Sequence, residues 1–366
     1  MLKSQHKAHI GKFQFRLALL GLTVFTLLVW EQGFGEQNLF AQSLDDAMKK
    51  LLPEEQGSDK QNYEISVGIG SWLSTGGTIW SHDASFIDPL LGNPTSELNY
   101  KNISSNIVEL HSELLLTQKQ FIRINYGFGE ITGGSLIDDD YFSKTGAEAF
   151  TNLDFPHRFS RTSNDISGSE LWYVNADLGY DAWSFLKEQG YSRAFFGYQY
   201  WTEKVETEGV TTIECTLVGD PDPCNPIGTV TNVGQTVITN TVKWISLRLG
   251  LESRYQFTSR FSLDGSVIWI QYTSMKNEDI HHLRDSLQQN PSFSMSGTGM
   301  GVNTEIAGKL MITQNLFFNV GYRYWWVRVT DGTLQGYPVK EASFIANLNE
   351  LQSVRQGVTL GLDYKF

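Results

Sequence analysis

From position 62 to the end, apolar and polar side chains alternate in short blocks separated by turn-prone stretches. A strand sends successive side chains to opposite faces, so this alternation predicts strands with one apolar and one polar side. One block sets Val108, Leu110, Leu114 and Leu116 against Glu109, His111 and Glu113; the next sets Ile122, Ile124, Tyr126 and Phe128 against Arg123, Asn125, Gly127 and Gly129. The same pattern covers residues 62–73, 170–180, 192–202, 244–252, 261–272, 300–310, 316–326 and 358–366, which brings the count to ten. An even number of antiparallel strands closes on itself with no free edge, the condition for a sheet that sits in lipid. A soluble β-sandwich would bury the apolar side, yet the opposite side carries Glu109, Glu113, Arg123, Arg248, Glu305 and Arg323, more charge than a packed interior tolerates unpaired. The predicted fold is therefore all-β: a ten-stranded antiparallel transmembrane barrel. Its short periplasmic turns fall near 117–120, 181–191, 253–260 and 311–315. Its five long outer loops fall at 74–97, 129–169, 203–241, 273–299 and 327–354.

A different pattern precedes the barrel. Lys3, Lys7, Lys12 and Arg16 lead into an apolar run from Leu17 to Trp30, too short for a comfortable bilayer crossing, which needs ~20 residues. A basic start and a short apolar core read as a secretory signal. Cleavage is expected after Gly35, with Ala41 as the rival point and an uncleaved anchor as the alternative. The expected organisation is a signal peptide at 1–35, an irregular or short helical periplasmic segment at 36–61 with the helix near 43–52, and the barrel at 62–366. The final Phe366 resembles the aromatic terminus of bacterial outer-membrane proteins, and the outer membrane is the expected location, with the loops at the cell surface.

Composition sharpens this picture at three points. A formal charge of −12 argues against nucleic acid, whose phosphates need clustered Lys and Arg. Ten tryptophans, fifteen tyrosines and twenty-two phenylalanines suit the aromatic girdles of a barrel. The two cysteines, Cys215 and Cys224, lie close together behind a secretory signal and read as a disulfide pinning a loop. A metal site is the poorer reading of that pair, because too few ligands stand near it.

Candidate chemistry lies in two of the expected loops. The second contains Gly133-Gly134-Ser135-Leu136-Ile137-Asp138-Asp139-Asp140-Tyr141, and the fourth contains Asn277-Glu278-Asp279-Ile280-His281-His282. In extended chain Asp138 and Asp140 point to one side, and Asp279 and His281 share a side. A histidine oriented by an aspartate can take a proton from water, and two close carboxylates can share one. A solvated aspartate turn is the bland alternative.

Together the two segments resemble the omptin family of outer-membrane endopeptidases. Gly-Gly-x-x-x-Asp-x-Asp followed by an aromatic at 133–141 looks like the segment carrying that family's aspartate pair, and Asp279-x-His281 looks like its Asp–His dyad. The stretch Ser96-Glu97-Leu98-Asn99-Tyr100-Lys101 resembles the opening of its second strand, so the likeness spans roughly 62–366. It implies an aspartic-type endopeptidase cutting extracellular polypeptides, with Asp279 and His281 activating water opposite Asp138 and Asp140. His282 is the rival of His281, Asp139 is expected to be a solvated neighbour, and His82-Asp83 in the first loop a surface pair. The family's acidic pocket positions align with Gly76 and Asn277, neither acidic, so a basic cleavage preference is not expected unless Glu278 or Asp139 substitutes. No metal or organic cofactor is expected. The resemblance instead implies a need for lipopolysaccharide bound on the outer wall, where Arg254 is the aligned basic residue. A barrel that has lost catalysis and serves as a surface adhesin is the alternative function.

Overall fold

The computed structural model describes residues 64–116, 119–186, 189–219 and 224–366. The expected signal peptide and the 36–61 segment lie outside them. Ten strands form one closed antiparallel ring in which each pairs with its chain neighbours and the first pairs with the last. They are β1 (Glu64–Asp83), β2 (Leu91–Leu115), β3 (Gln120–Phe142), β4 (His157–Phe185), β5 (Gly190–Cys215), β6 (Val230–Gln256), β7 (Phe261–His281), β8 (Phe293–Met311), β9 (Leu316–Gly336) and β10 (Phe344–Lys365). A short helix, α1 (Lys144–Phe150), follows β3.

Lipid-facing and lumen-facing side chains separate as the alternation requires. Ile69, Val108, Leu110, Phe196, Leu247, Val267, Trp269 and Ile306 form an exposed apolar belt, the signature of a wall solvated by acyl chains. Inside, the charges that a soluble core would not tolerate are paired. Arg123 meets Glu113 and Glu252, each at 2.8 Å, Arg193 meets Glu113 at 2.8 Å, and Arg323 meets Glu305 at 2.8 Å as well as Glu109. These pairs line a cavity of about 590 Å³ that reaches Glu64, Arg260 and Lys365 at the short-turn end. Above it Trp325 packs against Trp72 (4.9 Å between ring centroids), Tyr173 (4.7 Å) and Trp201 (5.8 Å) and fills the lumen. The Arg323 guanidinium lies 4.9 Å from the Trp72 ring, joining the charged layer to the aromatic one.

The connections at the cavity end are four residues each (116–119, 186–189, 257–260 and 312–315), whereas the opposite connections are 84–90, 143–156, 216–229, 282–292 and 337–343. Those outer connections are shorter than the sequence suggested, because most of the expected loop residues continue the strands beyond the belt. There the outer wall faces water rather than lipid, so its side chains turn polar and the apolar alternation that marks a strand disappears.

The extensions of β2, β3, β4 and β7 are among those that change phase as they leave the belt. In β3 the odd-numbered Phe121, Gly127, Gly129 and Ile131 are buried toward the lumen, but above Gly133 and Gly134 the even-numbered Leu136 takes that place. Gly134 has φ +144°, a conformation that side-chain-bearing residues rarely adopt, and register with β2 slips at this point. In β7 Ser262, Ile268 and Ile270 face inward, the register slips between Ile270 and Thr273, and Thr273, Met275, Asn277, Asp279 and His281 then face inward. A bulge inserts one residue and thereby exchanges the faces of everything beyond it.

Candidate active site

The phase changes put the candidate residues on strand walls above the aromatic layer. Asp138 and Asp140 belong to β3, and Asp279 and His281 to β7; none lies in a loop. His281 Nε2 hydrogen-bonds Asp279 Oδ2 at 2.7 Å. Asp279 is fully buried, and its other oxygen accepts hydrogen bonds from Asn240 Nδ2 of β6 at 2.9 Å and from Tyr100 Oη of β2 at 3.3 Å. Tyr100 thus ties the β2 wall to the β7 wall across the lumen. Burial first, and the Asp279 charge second, push the Tyr100 hydroxyl well above its ordinary range, so it remains a donor. The backbone N–H of His281 donates to Ser292 Oγ at 3.0 Å, and the Phe293 ring packs edge-on against the imidazole at 5.3 Å.

On the facing wall Ser96 pairs in register with Asp140, and Leu98 with Asp138. Ser96 Oγ donates to Asp138 Oδ1 at 3.4 Å. Burial, and then the neighbouring Asp140 carboxylate, hold Asp138 well above the usual carboxylate range, with Asp279 adding to the effect and Arg284 opposing it. Asp140 is also raised by burial, against the pull of Arg284, Ser96 and His281. The carboxylate pair therefore lies within electrostatic reach of the dyad, and a pair of this kind retains a proton that isolated aspartates would have lost.

Several expectations change here. Asp139 is buried, not solvated: it faces outward, where Arg161 grips it through two hydrogen bonds of 2.6 Å and Arg158 approaches to 3.5 Å. Committed to those cations outside the wall, it supplies no acid to the pocket. Glu278 is exposed on the outer face of β7 and supplies none either. His282 bonds Thr239 Oγ1 at 2.9 Å and is exposed, which leaves His281 as the inward imidazole. His82 is no surface residue: it is buried on β1. Arg254 does not face the membrane. Its guanidinium holds Asp264 inside the barrel and lines the lower cavity, because it shares the inward face of β6 with Glu252.

Neither Gly76 on β1 nor Asn277 on β7 supplies a charge. A Cβ at Gly76 would lie 2.2 Å from the Val354 carbonyl oxygen, so the strand pairing itself excludes an acidic side chain there. Asn277 is locked to Asn240 by reciprocal amide bonds of 3.2 and 3.1 Å. The buried carboxylate of Glu203 is neutralised by Arg355 at 2.7 Å. Cys215 and Cys224 are joined by a disulfide at the outer end of β5.

A family model described as Pom, Protochlamydia outer membrane protein, matches residues 82–366. The chain belongs to the Pom family. No curated protein matches this Pom-family chain. Among solved structures it is similar to the outer membrane protease OmpT from Escherichia coli, with a TM-score of 0.63 at 15% identity over 85% of this chain and 99% of that one. More remote are Ail, the attachment invasion locus protein of Yersinia pestis (TM-score 0.25, 10% identity, 83% and 98% covered), and OprG from Pseudomonas aeruginosa (0.27, 10%, 86% and 99%). The likeness to OmpT is one of fold. With the family, it identifies this member as a bacterial outer-membrane protein.

Sequence reasoning missed Tyr100 and Asn240. The segment containing Tyr100 was singled out as a strand opening, but no spacing rule links Tyr100 to Asp279, which it meets only once the barrel closes.

Proposed function

We propose that this barrel is an omptin-like endopeptidase that hydrolyses extracellular polypeptides. The observation supporting this most directly is the Asp279–His281 dyad on β7 set against the Asp138–Asp140 pair on β3, each within reach of the other's charge. With Nε2–H given to Asp279, the Nδ1 of a neutral His281 is the basic nitrogen. A water between the walls gives its proton to Nδ1 while its oxygen attacks the peptide carbonyl carbon. The C–N bond then breaks, and the same proton passes to the departing amine. Asp140 accepts a hydrogen bond from the other O–H of the attacking water, whose proton leaves with the product acid, and Asp138 keeps the proton that spares the pair a double charge. No covalent intermediate is required.

The uncharged Gly76 and Asn277 separate this reading from the basic preference that the omptin resemblance implies. A lysine or arginine at these positions would find no acidic side chain from either residue, and a desolvated charge without a partner costs about 2–5 kcal/mol. Neutral side chains are therefore the favoured occupants. In a library of peptides presented to the folded barrel with lipopolysaccharide, His281→Ala is expected to lower cleavage by roughly 10³-fold. Equal cleavage by the two proteins would rule out the dyad.

A surface-binding role is the second reading. Ile227 and Val233, among the most exposed apolar side chains described, lie beside the disulfide-closed end of β5. Peptide libraries left intact by folded wild-type protein would favour it.

A further inference from the structure

The dyad and the carboxylate pair occupy two walls of the upper lumen, and a third wall carries a group that the hydrolytic scheme does not use. His82 stands in register with Ser96 across β1 and β2, and Ser96 stands in register with Asp140 across β2 and β3. Residues directly opposite in adjacent strands present side chains on the same face, so His82, Ser96 and Asp140 form one inward rung. With strands ~4.8 Å apart, this rung runs roughly 10 Å along the wall from β1 to β3. From the other direction Phe293 connects the two histidines: its ring lies 6.5 Å from His82 and 5.3 Å from His281.

His82 is only 7% exposed, and its Nδ1 is buried without a hydrogen-bond partner. Nearly all buried polar atoms in folded proteins find one, and those that do not call for an explanation. Around the ring stand Trp80 and Asp83 on its own strand, Ser96 on β2, His281 and Phe293 on β7 and β8, and Arg284 beyond β7. Among the described residues none of these satisfies Nδ1.

We propose that His82 Nδ1–H donates a hydrogen bond to the carbonyl oxygen of the peptide bond being cleaved, which makes His82 a fifth catalytic residue alongside the dyad and the carboxylate pair. This rests on the hydrolytic reading above. As water attacks, the carbonyl π electrons move onto oxygen, and the waiting N–H stabilises that charge without giving up its proton. The charge returns to the carbonyl when the C–N bond breaks. Burial lowers the His82 pKa to about 4, against the pull of Asp83 and with help from Arg284 and His281. The ring is thus neutral at physiological pH and carries a single N–H. A neutral donor suits the task, because it does not compete with the substrate for the two aspartates as an imidazolium would.

The experiment compares His82→Phe, His82→Asn and His82→Gln with wild type and His281→Ala on one cleaved peptide, after a gel-mobility check that each barrel is folded. His82→Phe is expected to lower kcat by about 100-fold, the usual cost of one oxyanion donor, with KM within about threefold. His82→Asn places an amide N–H close to the Nδ1 position and is expected to retain kcat within about tenfold; His82→Gln, which places it near Nε2, is expected to fall with Phe. A packing role would not separate Asn from Gln, so that pair decides even if the Phe variant fails to fold. Wild-type kcat in both Asn and Gln variants, or equal loss in both, overturns the proposal while an inactive His281→Ala leaves the dyad standing. Cleavage by His281→Ala at the wild-type rate overturns the hydrolytic reading, and this proposal with it.

Discussion

Tyr100 reaches across the lumen to hold one oxygen of Asp279 while Asn240 holds the same oxygen from the neighbouring strand. Tyr100→Phe removes one of these donors and leaves the ring in place. A hydrogen bond to a charged group is worth about 1.5–3 kcal/mol, so peptide kinetics should show kcat reduced by roughly 10- to 100-fold at constant KM. On the facing wall, Asp138 carries a raised pKa because burial and the Asp140 charge disfavour its ionised form. The folded chain therefore binds a proton more tightly there than the unfolded chain, whose aspartates titrate near 3.9. Stability linked to this group is fully present below that value and is lost as pH rises through the folded pKa. Asp138→Asn removes the titration, so its melting temperature should exceed that of wild type by an amount that grows as pH rises above about 4. Parallel melting curves across pH would refute the assignment.

The strand extensions carry the site, and their bulges choose which residues enter it. If the belt alternation of β3 continued unbroken, Asp139 would face the lumen while Asp138 and Asp140 faced out. The Gly133–Gly134 bulge reverses this, and the slip beyond Ile270 does the same for β7. Deleting Gly133 should restore the belt phase and abolish cleavage in a barrel that still closes, as activity and gel mobility measured together would show. The outward clasp of Asp139 by Arg161 fixes the reversed phase. Arg161→Ala leaves a buried carboxylate with only Arg158 and should cost about 1–3 kcal/mol, since Arg161 is itself partly solvated. This scale also explains what the sequence revealed. The ten belt segments were legible because lipid on one side and a charged lumen on the other impose alternation. The extensions were not, because water outside imposes no such pattern, so the alternation alone reads the strands of the candidate site as loops. Asp138, Asp140, Asp279 and His281 were legible from motif spacing, whereas His82 and Tyr100 acquire meaning only through register.

At the scale of the whole molecule, Trp72, Tyr173, Trp201 and Trp325 pack together within the lumen beside the cavity lined by paired charges. A layer of rings in edge contact leaves no continuous path for solutes. Planar-bilayer recording of the wild type should show no steady conductance, and replacing Trp201 and Trp325 together by Ala should open one. A stable wild-type channel would contradict the filled lumen.

The length of the extensions has an electrostatic consequence. On β7 the outward side chains change from Trp269 and Tyr272 to the charged Lys276 and Glu278 before His281 is reached. At a rise of ~3.3 Å per residue and a barrel tilt of about 40°, His281 stands roughly 20 Å above the last lipid-facing ring. Fixed charge on the bilayer surface is screened within about 8 Å at physiological ionic strength. The acid–base groups of this barrel accordingly sample the proton activity of the surrounding medium rather than the acidified skin of an anionic membrane.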